Sequence, residues 1–321
     1  MLEALEGKTL LVTGATGFIG SHLVARLRQI RGAKLVLLSR RPRPPEADSV
    51  IWIQADCQIL SPQLWHSVGV SRLDYVFHLA AETPKVGGAT ESDSDYVGNL
   101  TGTVALLESL PTVTKRFIFA STLDVYAPFN SGETISETSP IGPCGPYGVS
   151  KAACEHAVDE YSRSRGFNCT VLRYGHIYGP GEEAYCKLIP QAIRQLLLGQ
   201  SPVVYGDGST ERDYLYVADV VEATLRAATS GKPSDGPVNI VRGVSIPIRS
   251  VVETLASLTN FRGNIRYLTD KPPGNSLRFD NRKMRVELGD WLAVPLEIGL
   301  RREVDYFRAS CQSTCSSPFS Q

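Results

Sequence analysis

Residues 9–20 read TLLVTGATGFIG. A short apolar run of strand-forming residues leads into glycines at 14, 17 and 20, and SHLVARLRQI (21–30) follows with apolar residues at helical spacing. Glycines between a strand and a helix let the backbone approach a pyrophosphate, whose charge the open N–H groups of the helix's first turn favour. A glycine-rich stretch alone is weak evidence, but this one has the strand before it and the helix after it that the mechanism requires. Gly14, Thr16, Gly17, Phe18, Ile19 and Gly20 are therefore candidate contacts of a dinucleotide, against the plainer reading of an ordinary strand–helix turn.

The same rhythm continues outward. KLVLLS (34–39), VIWIQ (50–54), DYVFHLA (74–80), RFIFAS (116–121) and CTVLRY (169–174) are short, nearly continuous apolar runs. Strands covered by helices on both faces read this way. Between them, segments 95–110 and 147–164 carry helical patterns. Strands alternating with helices predict a parallel sheet with right-handed crossovers. After residue 174 the rhythm breaks, and prolines and glycines interrupt more often. Helices are expected over 187–199, 218–229, 249–259 and 295–309, and strands over 202–206, 237–241 and 264–268. The division expected is a nucleotide-binding domain over 1–174, to which about 214–243 returns, then a smaller mixed α/β lobe over 175–309, mainly 175–213 and 244–309. A flexible tail is expected over 310–321.

Composition narrows the class. The chain has 321 residues, with 33 basic and 33 acidic side chains. Its neutrality and lack of a basic block give no reason to expect nucleic acid or a membrane surface as partner. Neither a signal-peptide pattern nor an apolar run of roughly 20 residues is present, which points to the cytoplasm. Seven cysteines without paired spacing and five dispersed histidines argue for reduced thiols and against a metal cluster.

More cofactor contacts follow from the strand ends. Ser39 and Arg40 close the second strand, where an acidic residue would suit NAD and an arginine would suit the 2′-phosphate of NADP. Asp56 follows the third strand and either accepts a hydrogen bond from the adenine or caps the next turn. Leu79, Ala80 and Ala81 after the fourth are small enough to lie beside a cofactor, while His78 reads as a packed strand residue. Tyr147 and Lys151 stand four apart on one helix face. A neighbouring ammonium favours a phenolate and so a base near neutrality. Thr122 at a strand end can bond the same substrate hydroxyl. A Tyr-x-x-x-Lys pair alone is commonplace; with the glycine turn and the Ser-Thr strand end it reads as catalytic.

Taken together, TGATGFIG, HLAA, Asn99 within GNLTGT, ASTLDVY, PYGVSK, LRYGHIYGPG and VVYGDGSTERDYLYVADVV resemble the extended short-chain dehydrogenase/reductases. More narrowly they resemble the nucleotide-sugar epimerase/dehydratase family, in order from residue 9 to about 290. The resemblance implies a Rossmann-like, doubly wound parallel sheet with a smaller C-terminal substrate lobe, and a homodimer through the helices at 95–110 and 147–164. It implies a retained cofactor recycled within each turnover, NAD being favoured over NADP. It makes Tyr147 the acid/base, with Lys151 holding it and the nicotinamide ribose, and Thr122 beside them. The substrate implied is a nucleotide diphosphate sugar, with Thr83, His176, Arg212 and Arg278 as its candidate contacts.

Two departures bear on the reaction. Asp124 stands where similar 4-epimerases have a small uncharged residue and where sugar 4,6-dehydratases have a glutamate that takes the carbon 5 proton. Leu123 replaces the aspartate that protonates the leaving hydroxyl, so another acid is needed, with Cys144, His176 and Glu82 as candidates. A variant dehydratase that loses water across carbons 5 and 6, as the tunicamycin-pathway enzyme acting on UDP-N-acetylglucosamine does, fits both departures. A UDP-hexose 4-epimerase and a non-catalytic dinucleotide-binding sensor or scaffold are the alternatives. In the plain structural reading, Asp124 caps the loop after its strand.

Overall fold

The computed structural model describes residues 2–42, 50–83, 93–182, 187–270, 274–291 and 293–315. Its first part runs β1 (Thr9–Thr13), α1 (Phe18–Leu27), β2 (Lys34–Ser39), β3 (Ile51–Gln54), α2 (Pro62–Ser67), β4 (Arg72–His78), α3 (Asp93–Ser109) and β5 (Thr112–Thr122). Next come β6 (Thr134–Ile135), α4 (Pro146–Arg165), β7 (Cys169–Tyr174), β8 (His176–Tyr178), α5 (Leu188–Leu197), β9 (Val203–Tyr205) and β10 (Glu211–Tyr216). The chain continues through α6 (Val217–Thr229), β11 (Val238–Ile240), β12 (Ser245–Pro247), α7 (Ile248–Thr259), β13 (Arg266–Leu268), β14 (Arg278–Phe279), α8 (Arg282–Leu288) and α9 (Leu296–Cys315).

Seven strands form one sheet in the order β11-β7-β5-β4-β1-β2-β3, every neighbouring pair parallel. The alternation of side chains along a strand shows how it is covered. In β1, Leu10 and Val12 pack with Leu23, Val24 and Leu27 of α1 and Val220 and Leu225 of α6. Leu11, between them, packs on the other face with Leu106 of α3 and Cys154 and Val158 of α4. Both faces are buried by helices, which is why the strands read as unbroken apolar runs. The sheet is doubly wound, as the sequence led us to expect.

Chain order reverses between β1 and β4, so a crevice opens at the carboxyl ends of these two strands, the usual ligand position in an open α/β sheet. Over that edge sit a three-stranded sheet, β12-β10-β8, and the parallel pair β9–β13. Helix α6 and strand β11 return from this smaller lobe to the main sheet. At the chain's far end, α9 continues past Ser310 to Cys315, so helix replaces the expected tail over those residues. Residues 316–321 and Cys186 lie outside the described residues.

Candidate active site

The crevice is a cleft of about 880 Å³. At its floor the glycines of the first turn are fixed by crowding. Gly14 has φ +66°, and a Cβ there would stand 2.8 Å from the Ala80 nitrogen. A Cβ on Gly20 would collide with the Gly14 carbonyl oxygen, so α1 can close onto the turn only without a side chain. Helix α1 starts after Gly17 with no side chain bonded to its first N–H groups. A helix that starts without a side-chain cap, on a turn of glycines packed this closely, fits a dinucleotide's pyrophosphate.

All the cofactor contacts expected from the sequence line this one cleft, from Gly14 and Thr16 to Leu79, Ala80 and Ala81. At the adenosine end, the Thr16 and Ser39 hydroxyls are 2.8 Å apart. Asp56 caps the turn after β3, its Oδ1 accepting the Gln58 N–H at 2.9 Å, and it also lines the cleft. His78 is a packed strand residue, 1% exposed, held between the Thr13 and Thr103 hydroxyls.

The catalytic candidates converge from three elements. Thr122 ends β5, Asp124 sits on the short turn after it, and Tyr147 and Lys151 lie on the first turns of α4. Pro146 starts that helix, where its missing N–H costs nothing. A Cβ on Gly148 would meet the Asp124 carbonyl, so the small residue beside Tyr147 lets α4 press against the Asp124 turn. Lys151 is 2% exposed, its Nζ 4.3 Å from the centre of the Phe119 ring. Burial lowers its pKa to about 8, opposed by the nearby Cys154 and Glu155. The Thr122 hydroxyl accepts the Asp124 N–H at 3.2 Å. Asp124 is exposed at the cleft surface, and the protein packed around it still raises its carboxyl pKa by desolvation, with the Thr122 hydroxyl acting the other way.

Beneath this group runs a buried polar network. Glu155, one turn beyond Lys151, accepts from Arg173 Nε at 2.9 Å and from its terminal nitrogen at 2.7 Å, and also from the Ser121 hydroxyl. Arg173 donates further to the Tyr126 hydroxyl at 2.9 Å. Ser121 and Arg173 are paired neighbours on β5 and β7. The network therefore locks α4 to the strand ends that carry Thr122.

Several expected roles change. His176 lines the cleft, but burial lowers its pKa to about 4, with Arg212 and Lys187 pushing the same way. It is neutral near pH 7 and poorly suited as the missing acid. Cys144 is exposed and stands outside the cleft lining. Glu82 lines the cleft but is ion-paired with Arg40. Thr83 lines the cleft as expected; Arg212 and Arg278 do not. Arg212 donates to the carbonyls of Glu211 and Asn275 at 2.9 and 2.7 Å, and Arg278 binds the Glu211 carboxylate at 2.7 Å.

Lys187 and Tyr306 are among the wall residues that the sequence did not point to. Lys187 reads as the first residue of an amphipathic helix, yet its Nζ is 3.1 Å from Glu182 Oε2 and the residue faces the cleft. Tyr306 comes from α9, and no local pattern ties that helix to the cleft. Among the described residues no group of three or more His, Cys, Asp or Glu is placed to hold a metal ion, and no helix is long and apolar enough to cross a membrane.

Comparison with known proteins agrees with this geometry. A dTDP-glucose 4,6-dehydratase of Mycolicibacterium smegmatis is 30% identical over 94% of this chain and 93% of its own length. A UDP-glucose 4-epimerase of the same organism is also 30% identical, over 94% of this chain and 99% of its own. Among solved structures, the UDP-glucuronic acid 4-epimerase of Bacillus cereus, in complex with UDP-glucuronic acid and NAD, superposes with a TM-score of 0.80. It is 26% identical, covering 94% of this chain and 99% of that one. The model of the NAD dependent epimerase/dehydratase family matches residues 10–241, the span that builds the glycine turn, the Tyr–Lys helix and all seven strands of the main sheet, and this chain belongs to that family.

Proposed function

We propose that this chain oxidises a nucleotide diphosphate sugar transiently at carbon 4 and removes water across carbons 5 and 6, its cofactor restored in each turnover. The observation that carries this reading is Asp124, a carboxylate with a raised pKa in the same cleft as Thr122, Tyr147 and Lys151. The glycine turn, Asp56 and Lys151 would hold NAD, which supplies a hydride acceptor and then a hydride donor. Tyr147, held by Lys151, takes the proton of the carbon 4 hydroxyl as that carbon becomes a ketone. The ketone acidifies the neighbouring C–H, and Asp124 removes the carbon 5 proton. The electron pair forms the carbon 5–carbon 6 double bond and expels the 6-hydroxyl. Leu123 is buried and brings no acid, so the carboxylic acid formed on Asp124 returns its proton to the departing oxygen. Tyr147 then reprotonates the carbon 4 oxygen as hydride returns, and the product is substrate less water.

A UDP-hexose 4-epimerase is the second reading, favoured by the apolar Leu123 and by the absence of a suited acid at His176, Cys144 or Glu82. Substrate deuterated at carbon 5 separates the two. Dehydration lowers the product mass by one water and releases the label. A product with unchanged mass that keeps its deuterium through complete conversion makes the chain an epimerase and Asp124 a turn residue. The reading includes a homodimer across α3 and α4, which pack together and expose Val97 and Val149. A monomer mass by light scattering at working concentration would remove that part.

A further inference from the structure

The carboxyl end of β2 presents Arg40 and Arg41 where an arginine ordinarily accommodates the 2′-phosphate of NADP. The structure gives Arg40 another occupation. Its guanidinium is ion-paired with Glu82, from the loop after β4, and stands 3.7 Å from Asp56, after β3. Glu82 is held firmly. Its N–H donates to Asn99 Oδ1 at 2.7 Å, and its carbonyl accepts from Asn99 Nδ2 at 3.0 Å. Asn99 is 6% exposed and is anchored in turn to the Ser150 hydroxyl at 3.0 Å. The acid is therefore presented to Arg40 by a platform built from α3 and α4. Arg41 turns back to the glycine loop, donating to the Thr16 carbonyl at 3.4 Å.

Among the described residues the charges at this end of the cleft sum to zero, two arginines against Asp56 and Glu82. A 2′-phosphate carries about −1.5 to −2 at neutral pH. It would find no net positive charge and would have to draw Arg40 away from its carboxylate. The uncharged ribose hydroxyls of NAD need only acceptors, and two carboxylates supply them. We propose that Glu82, presented by Asn99, selects NAD over NADP by holding the charge of Arg40. The proposal rests on the reading of the cleft as a nicotinamide dinucleotide site.

The test uses binding alone. Equilibrium competition between NAD and NADP on purified full-length protein gives the ratio of their affinities, and chromatography of nucleotide released by denaturation gives the ratio carried from the cell. Glu82→Gln leaves a net charge of +1 and should move both ratios toward NADP by roughly tenfold, a shift that shrinks as salt is raised. Glu82→Asp keeps the charge and should return the ratios toward those of the native protein. Arg40→Gln leaves −1 and should move them the other way, which keeps the test open if one variant folds poorly. A loop-bracing role for Glu82 would weaken both nucleotides together, and an unchanged ratio in Glu82→Gln overturns the proposal. Native protein that binds neither nucleotide overturns the cofactor reading and this inference with it. Native protein that binds NAD, with an unmoved ratio in the variant, overturns this inference alone.

Discussion

Acid should weaken this protein in part through a buried imidazole, that of His78. His78 is 1% exposed and makes two hydrogen bonds that fix its protonation. The Thr103 hydroxyl donates to the Asn99 carbonyl at 2.7 Å, so it accepts from the His78 Nε2–H, 3.0 Å away. The Thr13 hydroxyl accepts the Ala80 N–H at 3.1 Å and donates to His78 Nδ1 at 2.7 Å. A second ring proton would displace the Thr13 donor and charge a ring with almost no contact with water. Burial, with the Lys151 charge as a smaller cause, lowers the His78 pKa to about 3 from an unfolded value near 6.5. The folded value is the depressed one, so the unfolded chain binds the extra proton. The stabilisation is complete above pH 6.5 and is lost as pH falls toward 3. Between about pH 7.5 and pH 5 the loss from this residue is about 2 kcal/mol. Urea unfolding at the two pH values, on the native protein and on His78→Gln, measures it. Other titrating groups cancel in the difference, leaving only the contribution of His78. The variant is expected to be less stable at neutral pH and flatter toward acid by about 2 kcal/mol. Equal pH dependence in the two proteins, within about 0.5 kcal/mol, would refute a neutral buried His78.

Gly20→Ala forces a methyl into the Gly14 carbonyl and should cost about 1–3 kcal/mol of turn geometry, read as at least a roughly tenfold loss of bound dinucleotide by calorimetry. Glu155→Ala leaves Arg173, 5% exposed at its side chain, without its carboxylate partner, and should lower unfolding stability by about 3–5 kcal/mol in chemical denaturation. For Tyr147→Phe we expect sugar nucleotide binding close to native and a chemical step slower by about 10²–10⁴-fold in single-turnover kinetics. If Asp124 is the base it must be ionised, so kcat/KM should fall as pH drops through its pKa, which desolvation raises. In Asp124→Asn that acid limb should disappear from whatever rate remains.

The main sheet was legible because most of its strands are covered on both faces and so are apolar along the covered stretch. Thr9–Thr13, Lys34–Ser39 and Cys169–Tyr174 have the ends expected of them. In the smaller lobe β9 and β13 were legible too, but β10 was hidden for the opposite reason. Glu211–Tyr216 begins with three charged residues, yet Asp213 is buried there because its carboxylate accepts the N–H groups of Arg242 and Gly243 at 2.8 and 2.7 Å. Such compensation comes from a loop about thirty residues away, and no local pattern displays it. The glycine turn and the Tyr–Lys helix were readable because their chemistry fixes residue types at fixed spacing. Lys187 and Tyr306 were not, because they reach the cleft through tertiary packing. Arg40 was readable as a charge but not as a paired one, since its partner lies beyond two further strands in the sequence.

The place of β11 in the sheet has a consequence for how the chain is made. Its partner β7 ends at Tyr174, but β11 does not begin until Val238, after the ribosome has added β8, α5, β9, β10 and α6. Until then the nascent sheet carries β7 as a bare margin, with a row of unpaired backbone groups open to any passing strand. Loop closure over that distance is slow relative to local helix formation. Synthesis thus passes through an interval in which six strands are assembled and one flank is sticky, the usual setting for intermolecular pairing and chaperone capture. A fragment stopped at residue 174 would remain in that interval permanently, so the nucleotide-binding half cannot be cut free at the point where the rhythm of the sequence changes.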